Sequence, residues 1–177
     1  MSASRAVQTA ALLAMLAAGC GGGQAAPRAE GEGEPPGVQT FQVTSSDHVE
    51  GTVDYPQDPP AGGPHNPVWQ NCGFYSQPVT KEMAVHSMEH GAVWITYAPD
   101  LPTDQVTALR ALAARPYVLA TPYPGLPSAV VASAWGKQLG VDGAADPRLE
   151  AFVEEFANGP QTPEPGAPCD GGVGEPE

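Results

Sequence analysis

Cations are scarce in this sequence. Seven lysines and arginines stand against 20 aspartates and glutamates, a formal charge of −13, which repels nucleic-acid phosphates and anionic lipid surfaces. Nucleic acid is thereby excluded as a partner. Also missing are a G-x-S-x-G elbow, a Gly-rich phosphate loop and a C-x-x-C pair, so nucleophilic catalysis and thiol redox chemistry have no carriers. The apolar run near the start, residues 10–18, is about half of what a permanent membrane helix requires. No internal repeat is visible.

What is present fits one exported domain. At 177 residues the chain has room for one ordinary domain and its tails. A hydrophobic content of 41% suffices for a core, while 21 glycines and 21 prolines leave much of the chain as loop or extended tail. Residues 1–19 read as a signal peptide, with one arginine, the apolar run and then Gly19-Cys20. Ala17-Ala18-Gly19-Cys20 resembles the bacterial lipoprotein box, with Leu16 one place earlier than that pattern prefers, so Cys20 is the expected lipidation site. An ordinary secretory peptide cut nearby is the alternative. Either places the mature chain outside the cytoplasm, and the lipid would anchor it to the cell envelope. Losing Arg5 with the leader makes the mature charge 6 minus 20, or −14.

In an oxidising compartment the even pair Cys72 and Cys169 is expected to form a disulfide, two unrelated thiols being the alternative. The bridge would enclose nearly a hundred residues and contribute about 4 kcal/mol by the chain-entropy argument. It would also pin the Pro-rich tail, residues 161–177, to the domain. Residues 20–40 carry a Gly/Pro/Glu tract without apolar period and read as a solvated tether. That leaves residues 41–160 as the globular domain, its first half rich in loops.

Regular structure is clearest in the second half. Thr80 can cap a short helix running through His90, with Gly91 where a left-handed C-terminal cap is wanted. "AVWITY" then reads as a buried strand. Thr103 can cap a helix carrying Val106, Leu109 and Leu112, residues 117–121 read as a strand, and "SAVVASAW" as another. The last helix is the best marked: Asp146 as cap, Pro147 at its first position, Leu149, Phe152, Val153 and Phe156 at helical spacing, and Asn-Gly-Pro as the stop. The order α-β-α-β-β-α predicts an α+β domain with a small mixed sheet and packed helices.

All four histidines, His48, His65, His86 and His90, fall in one stretch of the chain. On a helix His86 and His90 share a face and can converge on one ion. His65 sits in the turn "PPAGGPH", which can fold back over that helix, and His48 precedes a strand-like segment. Together they would fill a three- or four-coordinate site. All-imidazole ligation suits zinc or copper(II), whereas a thioether from Met83 would favour copper(I), although methionine commonly just fills core gaps.

The block His86-Ser87-Met88-Glu89-His90 also fits H-x-x-E-H, the inverted zincin pattern, in which Glu89 would activate a zinc-bound water. Such an enzyme needs a third protein ligand, for which Glu150, Glu154 or Glu155 would have to serve. Those three lie on or beside the polar face of the last helix, which argues against hydrolysis. Glu89 reads more simply as an acceptor for a ligand histidine's second nitrogen, or as a partner of Lys81.

The blocks "HVEGTVDY", "PPAGGPH", "CGFYSQPV", "VHSMEHGAVWITY" and "SAWGK", in that order, resemble an exported bacterial family called domain of unknown function 3105. Its pattern has a His-Val start, a Pro-Pro-x-Ser-Gly-x-His turn, a Gly-x-Tyr step, a His-x-Leu-Glu-His-Gly block and a Thr-Ala-Trp-Gly segment. The resemblance spans residues 48–160, with small departures: Gly62-Gly63 for Ser-Gly, Met88 for Leu and Ser133 for Thr. It implies that the four histidines and Glu89 belong to one shared site. It implies no activity.

The expectation is therefore a lipid-anchored extracytoplasmic domain that binds copper or zinc through His86 and His90 with His65 and His48. Metal-handling proteins of the envelope are the expected partners. A zinc hydrolase built on Glu89, and an interaction module without metal, are the alternatives.

Overall fold

Apolar side chains alternate along four central strands, and each strand is buried on both faces, so a sheet with cover on either side is required. The computed structural model describes Met1 and residues 33–177; the expected signal peptide, Cys20 and most of the tether lie outside the described residues. Residues 33–177 form one α+β unit.

Its strands are β1 (Gln39–Thr40), β2 (Gly73–Phe74), β3 (Val93–Tyr97), β4 (Val118–Pro122), β5 (Val130–Ala134) and β6 (Lys137–Val141). They form a single mixed sheet in the order β1-β6-β5-β3-β4-β2. β2, β4 and β3 run parallel, while β5 and β6 pair antiparallel beside them. Parallel neighbours cannot be joined by a tight turn, and α2 (Thr103–Ala113) makes the crossover from β3 to β4. The remaining helices are α1 (Lys81–Glu89) and α3 (Pro147–Phe156).

The period of two sorts the core into two layers. Val93, Ile95 and Tyr97 of β3, Val118 and Ala120 of β4, and Leu139 and Val141 of β6 pack against Leu109 of α2 and Leu149, Phe152 and Phe156 of α3. The intervening residues Trp94 and Leu119 face the other way and meet Ala84, Val85 and Met88 of α1. Among the described residues, α1 is thus the one helix on that face of the sheet, and the loops of the first half close over it.

Several expectations shift at the level of single elements. Thr80 stands at the N-cap of α1 but its side chain makes no capping bond. Helix α2 begins at Thr103, with Pro102 in the cap position. Tyr117 does not open β4; its φ of 59° turns the chain just before the strand begins. Strand β6 is an addition to the expected order, joined to β5 by the two residues Trp135-Gly136, with Gly136 at φ 71°. In α3 the expected cap is observed, since Asp146 Oδ1 accepts from Arg148 N at 3.0 Å.

Residues 162–177 run back across the molecule as a strap. Thr162 Oγ1 donates to the carbonyls of Met88 and Glu89 at 2.9 and 2.6 Å, and Glu164 N donates to Glu89 O at 3.1 Å. These donors satisfy carbonyls left open by the end of α1. The Cys72–Cys169 disulfide then joins the strap to the segment before β2, Val173 pairs with Gln70, and Glu177 N reaches Phe74 O.

Candidate metal centre

Helix α1 is short and almost wholly buried, its polar side included. Glu82, His86, Ser87 and Glu89 are all buried, so each must find a partner within the protein. Glu82 Oε1 accepts from Val53 N at 2.9 Å, and Ser87 Oγ donates to Gln70 O at 2.6 Å. Both bonds tie covering loops to the helix. Among the described residues, no buried side-chain nitrogen or oxygen lacks a hydrogen-bond partner.

Two of those loops deliver histidines. His48 and His65 lie in short segments that pair as an isolated parallel bridge, with Val49 N on His65 O at 2.7 Å and His65 N on Asp47 O at 3.0 Å. The bridge sets the two imidazoles side by side above His86. The rings of His48, His65 and His86 form a nearly equilateral triangle, with centroids 4.9, 4.8 and 4.8 Å apart. Glu89, one turn beyond His86, points into the triangle. Its Oε2 lies 2.9 Å from Nε2 of His65, 3.5 Å from that of His48 and 3.9 Å from that of His86.

The tautomers follow from the backbone. His65 Nδ1 faces the Gly63 carbonyl at 2.8 Å, and His86 Nδ1 faces the Asn66 carbonyl at 2.7 Å. A carbonyl only accepts, so each Nδ1 carries a proton, and in its neutral form each ring presents a lone pair at Nε2. Both lone pairs are directed toward a carboxylate oxygen. Two acceptors at 2.9 Å repel unless a proton or a metal ion lies between them. Four ligand atoms about 2.1 Å from one ion stand about 3.4 Å apart in a tetrahedron, and the three distances to Glu89 Oε2 bracket that value. Together the four groups, His48, His65, His86 and Glu89, present one ligand atom each, all within 4.8 Å of one another.

The structure places His90 to one side of this group. Its Nδ1 donates to Pro168 O of the strap at 2.7 Å, which turns Nε2 toward Glu164 Oε2 at 3.7 Å. Its ring meets His86 edge-on at 4.6 Å, and Trp69 packs against both. Glu89 takes the remaining position. Its Oε2 stands at hydrogen-bond distance from Nε2 of His65, whose Nδ1, like that of His86, donates to a backbone carbonyl, and Lys81 lies over the Tyr55 ring instead of pairing with Glu89. The signal for Glu89 was its i, i+3 spacing from His86, which brings side chains together as surely as i, i+4. Met88 packs in the core against Trp94, whereas Met83, the thioether candidate, is half-buried on α1 outside that cluster.

The inverted zincin arrangement is not assembled. Glu150 and Glu154 pair with Arg115 at 3.4 and 3.6 Å, and their helix packs on the opposite face of the sheet from α1.

Residues 48–171 match the family described as "Protein of unknown function (DUF3105)". The chain belongs to that family. The match opens on His48 and takes in His65, His86, Glu89 and both bridged cysteines. The chain matches no curated protein and no solved structure.

Burial disfavours the charged form of His86 and lowers its pKa to about 4, with the neighbouring histidines 65, 90 and 48 adding to the effect and the Asn66 carbonyl opposing it. Glu89 also faces this ring. Unfolded, the same imidazole titrates near 6.5. Between those two values the unfolded chain binds the extra proton, so stability falls as pH falls through the window. The urea midpoint of the metal-free protein is expected to drop as pH is lowered from about 6.5 to 4, and less so in His86→Gln. Equal slopes in the two proteins would show that His86 does not carry the effect.

Proposed function

We propose that this is an exported, lipid-anchored protein that holds one divalent transition-metal ion, zinc or copper(II), through Nε2 of His48, His65 and His86 and Oε2 of Glu89. Its role is to sequester, deliver or sense that ion at the cell envelope. The observation that carries the reading is the ring of inward-facing lone pairs around a buried carboxylate, with His65 and His86 locked in the ligand tautomer by backbone carbonyls. Hydrogen bonding at the second ring nitrogen is the usual support of a ligand histidine.

The donor set bears on the metal. Three imidazoles and one carboxylate give a site of net charge +1 with a divalent ion, which limits the cost of burying it. Without thioether or thiolate ligands, borderline divalent ions are favoured over copper(I).

The test is metal uptake by the purified chain. After dialysis against zinc or copper(II) and removal of excess, it is expected to retain about one equivalent. Its melting temperature should rise with metal concentration, corresponding to about 4 kcal/mol at a thousandfold excess over Kd. Negligible retained metal with no thermal shift would overturn the proposal.

A further inference from the structure

The four ligand groups are not held alike. His65, His86 and Glu89 are buried, whereas the side chain of His48 is 49% exposed. Both buried histidines are oriented by a carbonyl at Nδ1. No hydrogen bond holds Nδ1 of His48 among the described residues. The backbone of His48 is fixed by its bridge to His65, and its half-exposed ring packs against the His65 and His86 rings and faces Glu89. Of the four groups, His48 is the one with a side chain substantially open to solvent.

We propose that His48 is the exchangeable ligand of the centre, and that an external imidazole, such as a histidine of an incoming protein, takes its coordination position when metal is passed on. This inference rests on the metal-binding reading above. The step breaks the bond from the ion to His48 Nε2 and forms one to the incoming nitrogen. Neutral donor replaces neutral donor, so the charge of the buried site and the oxidation state of the ion are unchanged. His65, His86 and Glu89 remain as a three-point cradle throughout, which keeps the ion from being lost to water during transfer. The steric argument is specific: an incoming donor can approach where a side chain half in solvent withdraws, and cannot where His65 is sealed beneath its loop and against Trp135.

The test uses cobalt(II) as a spectroscopic substitute in the whole chain, with free imidazole as the external donor. His48→Gly is expected to keep cobalt with an affinity loss of roughly 10–100-fold, comparable to loss of a supporting group. Millimolar imidazole should then restore affinity and the wild-type visible bands. The same imidazole should shift the bands of the wild-type protein without releasing cobalt. His65→Gly should not be restored. If imidazole leaves the spectra of both the wild type and His48→Gly unmoved, or restores His65→Gly equally, His48 is not the exchangeable ligand. If the wild type itself takes up no cobalt or zinc, the metal reading beneath fails instead.

Discussion

His65→Ala is expected to lower the affinity for zinc or copper(II) by at least about 100-fold, since removing even a supporting group costs about 10–100-fold, whereas His90→Ala, outside the ligand set, should cost less than about tenfold. The two substitutions look alike on paper, both removing a buried histidine from a family block. The geometry separates them. His65 Nε2 is 2.9 Å from the carboxylate at the centre of the group, while His90 is committed to Pro168 and Glu164 of the strap. Removing His65 deletes a ligand and leaves Glu89 with one close partner fewer. Removing His90 disturbs the ring that packs beside His86 and loosens the strap locally, without touching the ligand set. Glu89→Gln should side with His65→Ala, because an amide of the same shape brings a neutral oxygen to a cation. Affinities measured in competition with a chelator decide the matter. If His90→Ala proves as damaging as His65→Ala, the centre extends to His90 and the four-group assignment is wrong.

The contrast between Glu89 and His90 shows how far the site could be read without coordinates. Composition and order were enough to gather the histidines, since three of the four do converge with a residue of the same block. Helical spacing was not enough to choose among neighbours. His86, Glu89 and His90 are all within one turn of each other, and what decides between them is where each side chain is turned. For His90 that is set by the carbonyl of Pro168, 78 residues later. No local pattern contains that contact.

A similar division runs through the fold. Helix α3 carries its own instructions in Asp146, Pro147 and an apolar stripe, and it forms where they place it. Strand β6 does not: Leu139 and Val141 alternate, but Lys137, Gln138 and Gly140 dilute the pattern. Gln138 is buried because its amide donates to Pro59 O and Ser133 Oγ, both at 2.9 Å, which is a tertiary arrangement. Strands β1 and β2, two residues each, exist only as backbone pairing with β6 and β4. Helix α1 gave the opposite difficulty. Its weak amphipathicity reflects polar residues that are buried by design of the site, since loops carrying His48 and His65 cover the face that would otherwise meet water.

Replacing both bridged cysteines, Cys72→Ser with Cys169→Ser, is expected to lower stability by about 4 kcal/mol, the chain-entropy contribution of the bridge. The sequence separation of 97 residues is long enough that most of the effect falls on the unfolded chain, which regains the freedom the crosslink removes. The melting temperature should fall by on the order of 10 °C. In the folded state the strap keeps much of its seating without the bridge. Cys72 N still has the Cys169 carbonyl at 2.8 Å, Asn71 and Trp69 still pair with Val173, and Thr162 still caps α1. The variant is therefore expected to fold to the same structure and to bind metal, with saturating zinc restoring part of the lost melting temperature because the ion binds only the folded chain. A variant as stable as the parent would mean that the crosslink does not restrict the unfolded ensemble as the chain-entropy argument requires. A variant that folds but binds no metal would mean that the bridge positions the centre, and would move the disulfide from a stabilising role to a functional one.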